Sequence, residues 1–275
     1  MKRALLWVCC LFSMAPVLIG QMAFTDSVLT VTENFDTFDS DGFVPTSSSP
    51  TAGQLNSDNW RVAGLSTDET MAFGDIQTGT DFTGGSSIED WGGTTTGGVQ
   101  HIDDGTGNVV FGIQPSSVDF TAGAIEFRVQ NNASSAITLT SIAYDVYSYN
   151  DKTRSSYFNG YYSTVGGYVY NDASTLNNYT LVSSYTSPGA DDDTLTTINV
   201  SESVSIQVDP GDFVYILWEG DNAGSGSGYD EFAIDNVSLG AQVIPEPSTY
   251  ALIFGGLALA VVFWKRKRSG VSKIA

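Results

Sequence analysis

From Ile125 the chain reads Ile-Glu-Phe-Arg-Val-Gln, with apolar and polar side chains in strict alternation. Successive side chains of an extended chain point to opposite faces, so this period fits a half-buried β-strand and no helix. Ile137 to Tyr149, Gly167 to Asn171, Thr180 to Tyr185, Ser203 to Val208 and Phe213 to Trp218 are further strand candidates. Clusters of Gly, Ser, Asn and Asp separate them, and Pro210-Gly211-Asp212 makes a turn directly before Phe213. No segment between Thr25 and Gln242 joins a cap to a sustained helical period. The pattern predicts an all-β fold: an antiparallel β-sandwich or jelly roll over residues 25–242.

Both ends of the chain differ from this body. Met1-Lys2-Arg3 precedes an apolar run from Ala4 to Ile19, the charge and length of a secretory signal peptide, expected to span residues 1–23. The only cysteines, Cys9 and Cys10, lie inside it, so the body is expected to fold without a disulfide. At the other end, Thr249 to Trp264 carries no charge, and its sixteen residues make about 24 Å of helix, against about 30 Å of hydrocarbon. Lys265, Arg266, Lys267 and Arg268 follow, a cationic stop that reaches the headgroups and stays on the cytoplasmic side. A transmembrane helix over 249–264 is therefore expected, with the body on the far side of the membrane.

Pro245 and Pro247 exclude a helix interior, so Pro245-Glu246-Pro247 is read as an extended segment accessible to a protease. Together with the apolar helix, its Gly255-Gly256 pair and the basic cluster, it resembles the PEP-CTERM sorting signal, here spanning 243–270. The resemblance implies export in a Gram-negative bacterium and an inner-membrane-anchored precursor. It also implies an exosortase that cleaves near the motif, and delivery to the cell surface or the extracellular matrix. A C-terminal anchor that is never cut is the alternative.

Charge narrows the partners. Seven of the eleven cations lie in the terminal segments, as does one of the thirty-one acids, Glu246. Arg61, Arg128, Lys152 and Arg154 are left to face thirty acids, about −26 on the body. Phosphate contact needs basic side chains, so nucleic acid is excluded as a partner.

Acidic, Gly-rich loops suit Ca²⁺, which takes six to eight oxygen ligands. Asp103, Asp104 and Asn108 form one candidate loop, and Asp221, Asp230 and Asp235 another, although neither has EF-hand spacing. Glu33-Asn34-Phe35-Asp36 and the stretch Asp230 to Leu239 also resemble the first and last strands of jelly-roll modules in secreted bacterial proteins. That likeness implies that the terminal strands pair in one sheet, and that carboxylates there hold a structural calcium ion.

Ten of the thirteen tyrosines fall between Tyr144 and Tyr185. Exposed tyrosines stack on sugar rings, and Tyr161 with Tyr162 is the candidate platform. Tyrosine is also a good strand former, which explains the same enrichment by packing alone. Catalytic signals are few. His101 is the only histidine, Gly224 to Gly228 does not have nucleophile-elbow spacing, and acid pairs such as Glu89-Asp90 arise by chance among so many carboxylates.

The sequence is best read as an exported non-enzymatic surface or matrix protein with a structural, adhesive or glycan-binding role in exopolysaccharide or biofilm. A carbohydrate-active hydrolase on the same fold and a simply membrane-anchored binding protein are the alternatives.

Overall fold

The computed structural model describes residues 21–66, 71–87, 91, 97–104, 106–116, 119–120, 123–223, 228–245 and 247–271. Residues 1–20 of the expected signal peptide and the pair Glu89-Asp90 lie outside the described residues, as does Glu246 of the Pro-Glu-Pro motif.

Fifteen strands run in the order β1 (Ala23–Phe24), β2 (Thr30–Glu33), β3 (Phe38–Val44), β4 (Gly53–Asn56), β5 (Trp60–Ala63), β6 (Phe82–Ser87), β7 (Gly98–Asp103) and β8 (Val109–Gln114). Then follow β9 (Gly123–Asn131), β10 (Ile137–Asn150), β11 (Ser156–Ser163), β12 (Thr180–Thr186), β13 (Thr194–Val208), β14 (Phe213–Asn222) and β15 (Glu231–Val243). One sheet has the order β1-β9-β14-β11-β12, with β5 on the edge of β9; the other has β13-β10-β15-β8-β7-β6, with β2 on β15. Pairing is antiparallel except for β1 on β9, β6 on β7 and the small β3–β4 pair. As expected, the terminal strands meet: Val31 lies opposite Leu239 and Glu33 opposite Val237.

Period-two alternation builds the core between the sheets. Trp60, Ile125, Phe127, Ile216, Trp218, Phe158, Phe232 and Ile234 are all at most 2% exposed. Trp60 stacks on Phe127 at 4.3 Å and meets Trp218 at 6.1 Å, so three neighbouring strands are joined by aromatic faces.

Two expectations change. Gly167 to Asn171 forms no strand. Gly166, Gly167 and Asn171 have φ of +66°, +88° and +59°, and these left-handed residues break the extended run into a loop. At the C-terminus a helix does form, longer than expected, as α1 (Pro247–Val271). Among the described residues, however, no helix is long and apolar enough to cross a membrane. The apolar run from Ala251 to Trp264 gives only about 21 Å. The described α1 side chains, including Lys265 and Arg266, are exposed, while those of Lys267 and Arg268 lie outside the described residues.

Candidate functional site

The side chains of the first sheet that point away from the core make its outer face. Arg61 and Ala63 come from β5, Glu126 and Arg128 from β9, Tyr215, Leu217, Glu219 and Asp221 from β14, and Tyr157 and Tyr161 from β11. A loop over residues 164–179 folds back across this face. Ser163 Oγ accepts the N–H groups of Val165 and Gly166, both at 3.0 Å, and fixes the bend. The bend requires glycine, because a Cβ on Gly166 would stand 2.7 Å from the Tyr215 ring. Asp172 then caps a short 3-10 turn, Ala173–Asn178, by accepting the Ser174 N–H at 3.0 Å. Tyr168 and Tyr179, only 6% and 8% exposed, pin the loop to the sheet.

Beneath the loop lies a buried ion pair. Arg61 Nε donates to Glu126 Oε2 at 2.5 Å, and the Tyr179 hydroxyl donates to Glu126 Oε1. Arg61 Nη2 also donates to the Tyr168 carbonyl at 2.8 Å, which ties the loop to the charge. Burial pushes the Glu126 carboxyl up from its ordinary value, against the pull of Arg61. The Arg128 guanidinium is held between Phe73 and Phe213, 4.1 and 4.6 Å from their ring centres, and its Nε donates to the Asp58 carbonyl at 2.7 Å.

Where the loop lifts from the sheet it leaves a cavity of about 210 Å³. Tyr157, Tyr168, Leu176 and Ala173 supply its apolar walls; Glu219, Asp221, Asp172 and Asn171 supply the polar groups. The Tyr157 hydroxyl donates to Glu219 Oε1 at 3.0 Å. Glu219 is 8% exposed, and burial raises its carboxyl above the ordinary value, opposed by the Tyr157 hydrogen bond and reinforced by the Asp221 charge. A smaller cavity of about 110 Å³, lined by Arg61, Met71 and Tyr170, lies on the other side of Tyr168.

Neighbours on one strand face opposite ways, and that separates the two tyrosines expected to act together. Tyr161 lies on the outer face beside Leu217, whereas Tyr162 packs against the main core, so they form no common platform. Tyr157 and Tyr168 line the cavity instead. Tyr157 sits four residues before Tyr161 on the same face of β11, a signal the alternation already carried; the position of Tyr168 depends on the loop.

The candidate calcium residues also regroup. Asn108 Nδ2 donates to Asp235 Oδ2 at 3.0 Å and to Asp104 Oδ2 at 3.3 Å, so Asp235 joins the β7–β8 loop rather than Asp230. Asp103 is exposed at the end of β7. Asp230 accepts the Ser187 hydroxyl and, at 3.2 Å, the Lys152 N–H, while Asp221 lines the tyrosine-walled cavity. Among the described residues no three His, Cys, Asp or Glu side chains converge on a metal position. One observation fits a cation. Asp235 is 0% exposed and its Oδ1 has no hydrogen-bond partner, while its charge and that of Asp36 help raise the Glu33 carboxyl behind burial. His101 Nδ1 lies 3.2 Å from Asp39 Oδ1.

No curated protein matches the chain. Among solved structures, the K1 cleaved adhesin domain of Lys-gingipain from Porphyromonas gingivalis W83 aligns at 14% identity. The alignment covers 78% of this chain and 98% of that domain, with a TM-score of 0.35. The K2 cleaved adhesin domain of Lys-gingipain aligns at 13% over 76% and 98%, TM-score 0.37. A family 16 carbohydrate-binding module aligns at 16% over 55% and 87%, TM-score 0.28. At these scores none of the likenesses bears on function. The C-terminal match is of another kind: residues 243–268 fit the family model described as the PEP-CTERM protein-sorting motif. With its proline pair, apolar helix and basic end in that order, the chain is a PEP-CTERM domain-containing protein, exported and directed to the cell surface.

Proposed function

We propose that this protein is a non-enzymatic binding protein of the cell surface or extracellular matrix, and that it takes a carbohydrate chain in the cavity between Tyr157 and Tyr168. The observation that carries the reading is the cavity itself, with aromatic walls and a carboxylate floor on the open face of one sheet. Aromatic faces match the apolar face of a sugar ring while carboxylates and amides accept its hydroxyls. At about 210 Å³ the cavity is smaller than the roughly 300–1,000 Å³ of sites for drug-sized ligands. A single sugar unit of a longer exopolysaccharide suits that size.

An exosortase acts on the C-terminal signal in this reading, and a Ca²⁺ ion near Asp235 and Glu33 ties the first strand to the last. Oligosaccharide binding by the purified chain tests the site. Loss of binding in Tyr157→Ala and Tyr168→Ala, with the fold intact by circular dichroism, is the expected result. Mass spectrometry of the mature C-terminus tests the sorting: a surface-located chain that still contains Trp264 has escaped exosortase cleavage.

A hydrolase on the same cavity is the second reading, favoured by Glu219, a buried carboxyl of raised pKa with Asp172 on the loop wall. Release of reducing ends from a bound oligosaccharide, abolished in Glu219→Gln, would establish it in place of the first.

A further inference from the structure

On one side of the sandwich each sheet ends in a strand with a free edge. Among the described residues β12 pairs only with β11, and β13 only with β10. The two sheets do not end level. The Tyr144 hydroxyl of β10 lies 2.6 Å from Ser183 Oγ of β12, and Tyr185 of β12 meets the Phe232 ring of β15, so β12 stands over β10 and β15. β13 projects one strand further and forms a shelf. Ile198, Val204 and Ile206 on its inner side reach the core yet stay half-buried, whereas Ile142, Tyr144 and Val146 on neighbouring β10 are at most 3% exposed. Glu202 lies opposite Ile142 and so faces the core side, yet it is exposed.

A free edge presents unpaired N–H and C=O groups to another strand, and proteins usually guard it with lysine or proline. β12 and β13 contain neither, and carry one charge between them, Glu202, on a body of about −26. β13 holds an unbroken register from Thr194 to Ser203, long enough for the seven residues of β12. Direction fits as well. From Ser183 to Tyr185, β12 advances from the level of Tyr144 to that of Ser148, which lies opposite Phe232, so it runs with β10 and against β13. A twofold axis parallel to the strands therefore sets β13 of a second copy antiparallel to β12 of the first, and the first copy's β13 beside the second's β12. Shelf then packs on shelf, and the step of each copy fills the step of the other. The uncharged edges meet without the repulsion that faces the rest of the acidic body.

We infer that this side of the sandwich is a self-association surface, on which two copies of the chain exchange edges, β13 of each pairing with β12 of the other. The exchange is independent of the tyrosine-walled cavity and its ligand. The axis preserves height along the strands, so Glu202 of one copy faces Glu202 of the other. That contact opposes association and keeps the dimer weak, with a dissociation constant on the order of 10 μM.

Sedimentation of the full chain in non-ionic detergent, from about 1 to 100 μM, tests it. A concentration-dependent dimer is expected, tightened severalfold by added salt, which screens the acidic bodies. Glu202→Gln tightens it about tenfold, whereas Ile198→Lys, which sets like charges shelf to shelf, abolishes it at an unchanged circular dichroism spectrum. If Ile198→Lys misfolds, Thr196→Lys, opposite Ser148 on the same side of β13 and half-buried, makes the same test. A chain that stays monomeric at all these concentrations overturns the proposal. So does a dimer that Glu202→Gln weakens, or one equally stable in every variant, which places the contact in α1. Assemblies that grow beyond two copies overturn the closed exchange in favour of head-to-tail pairing of the edges.

Discussion

Arg61 and Glu126 lie opposite each other on β5 and β9, and the guanidinium meets a carboxylate that is 1% exposed. Both side chains point away from the core, so the charge is buried by the loop that carries Tyr168 and Tyr179 and not by the sandwich itself. The ion pair is therefore the joint between scaffold and site.

Removing one member leaves the other buried and unpaired. Arg61→Met is expected to cost about 3–5 kcal/mol, whereas Arg61→Met with Glu126→Leu costs much less, because both charges leave together. Urea denaturation of the two variants makes the comparison. Equal losses would show that the pair is solvated.

Gly166 places the loop. Its φ of +66°, and the mere 2.7 Å that would separate a Cβ there from the Tyr215 ring, mean that Gly166→Ala must move the loop away from the sheet. Sugar binding is expected to fall by about tenfold or more, with a stability loss of about 1–3 kcal/mol. Unchanged affinity would mean that the loop contributes nothing to the cavity.

The β15 carboxyls set a pH dependence. Burial raises Asp230 from 3.8 to about 6, and burial together with the neighbouring Asp151 raises Glu231 still further. Between its unfolded and folded values each group holds its proton more tightly in the folded state, so stability is full below the unfolded value and declines as pH rises. The melting temperature is expected to fall as pH rises from 5 to 8, with a slope of up to about 1.4 kcal/mol per unit per group. Glu231→Gln, which keeps the Gln114 contact in neutral form, should flatten the upper part of that curve. A melting temperature that climbs over this range would contradict the assignment.

Chelation tests the proposed ion. With Ca²⁺ at about a hundred times its dissociation constant, removal by EDTA is expected to lower the melting temperature by about 5–10 °C. Asp235→Asn should show no such response. An identical melting curve with and without EDTA would refute a structural ion at Asp235.

The sequence alone determined the local facts: alternation marked β9, β10 and β14, turn residues separated them, and the proline pair, apolar run and basic cluster marked the sorting signal. Its likeness at the two ends even paired β2 with β15. It also held that Tyr161 and Tyr162 face opposite ways, since a period of two carries relative facing within a strand. Which of the two faces becomes core is decided only when distant strands pair, and that settled Tyr162 inward and Tyr157 outward. The course of the 164–179 loop, the burial of Glu126 beneath it and the turn of Asp235 toward Asn108 likewise came from the tertiary structure. Each depends on residues tens of positions apart in the chain, and no local period records such contacts.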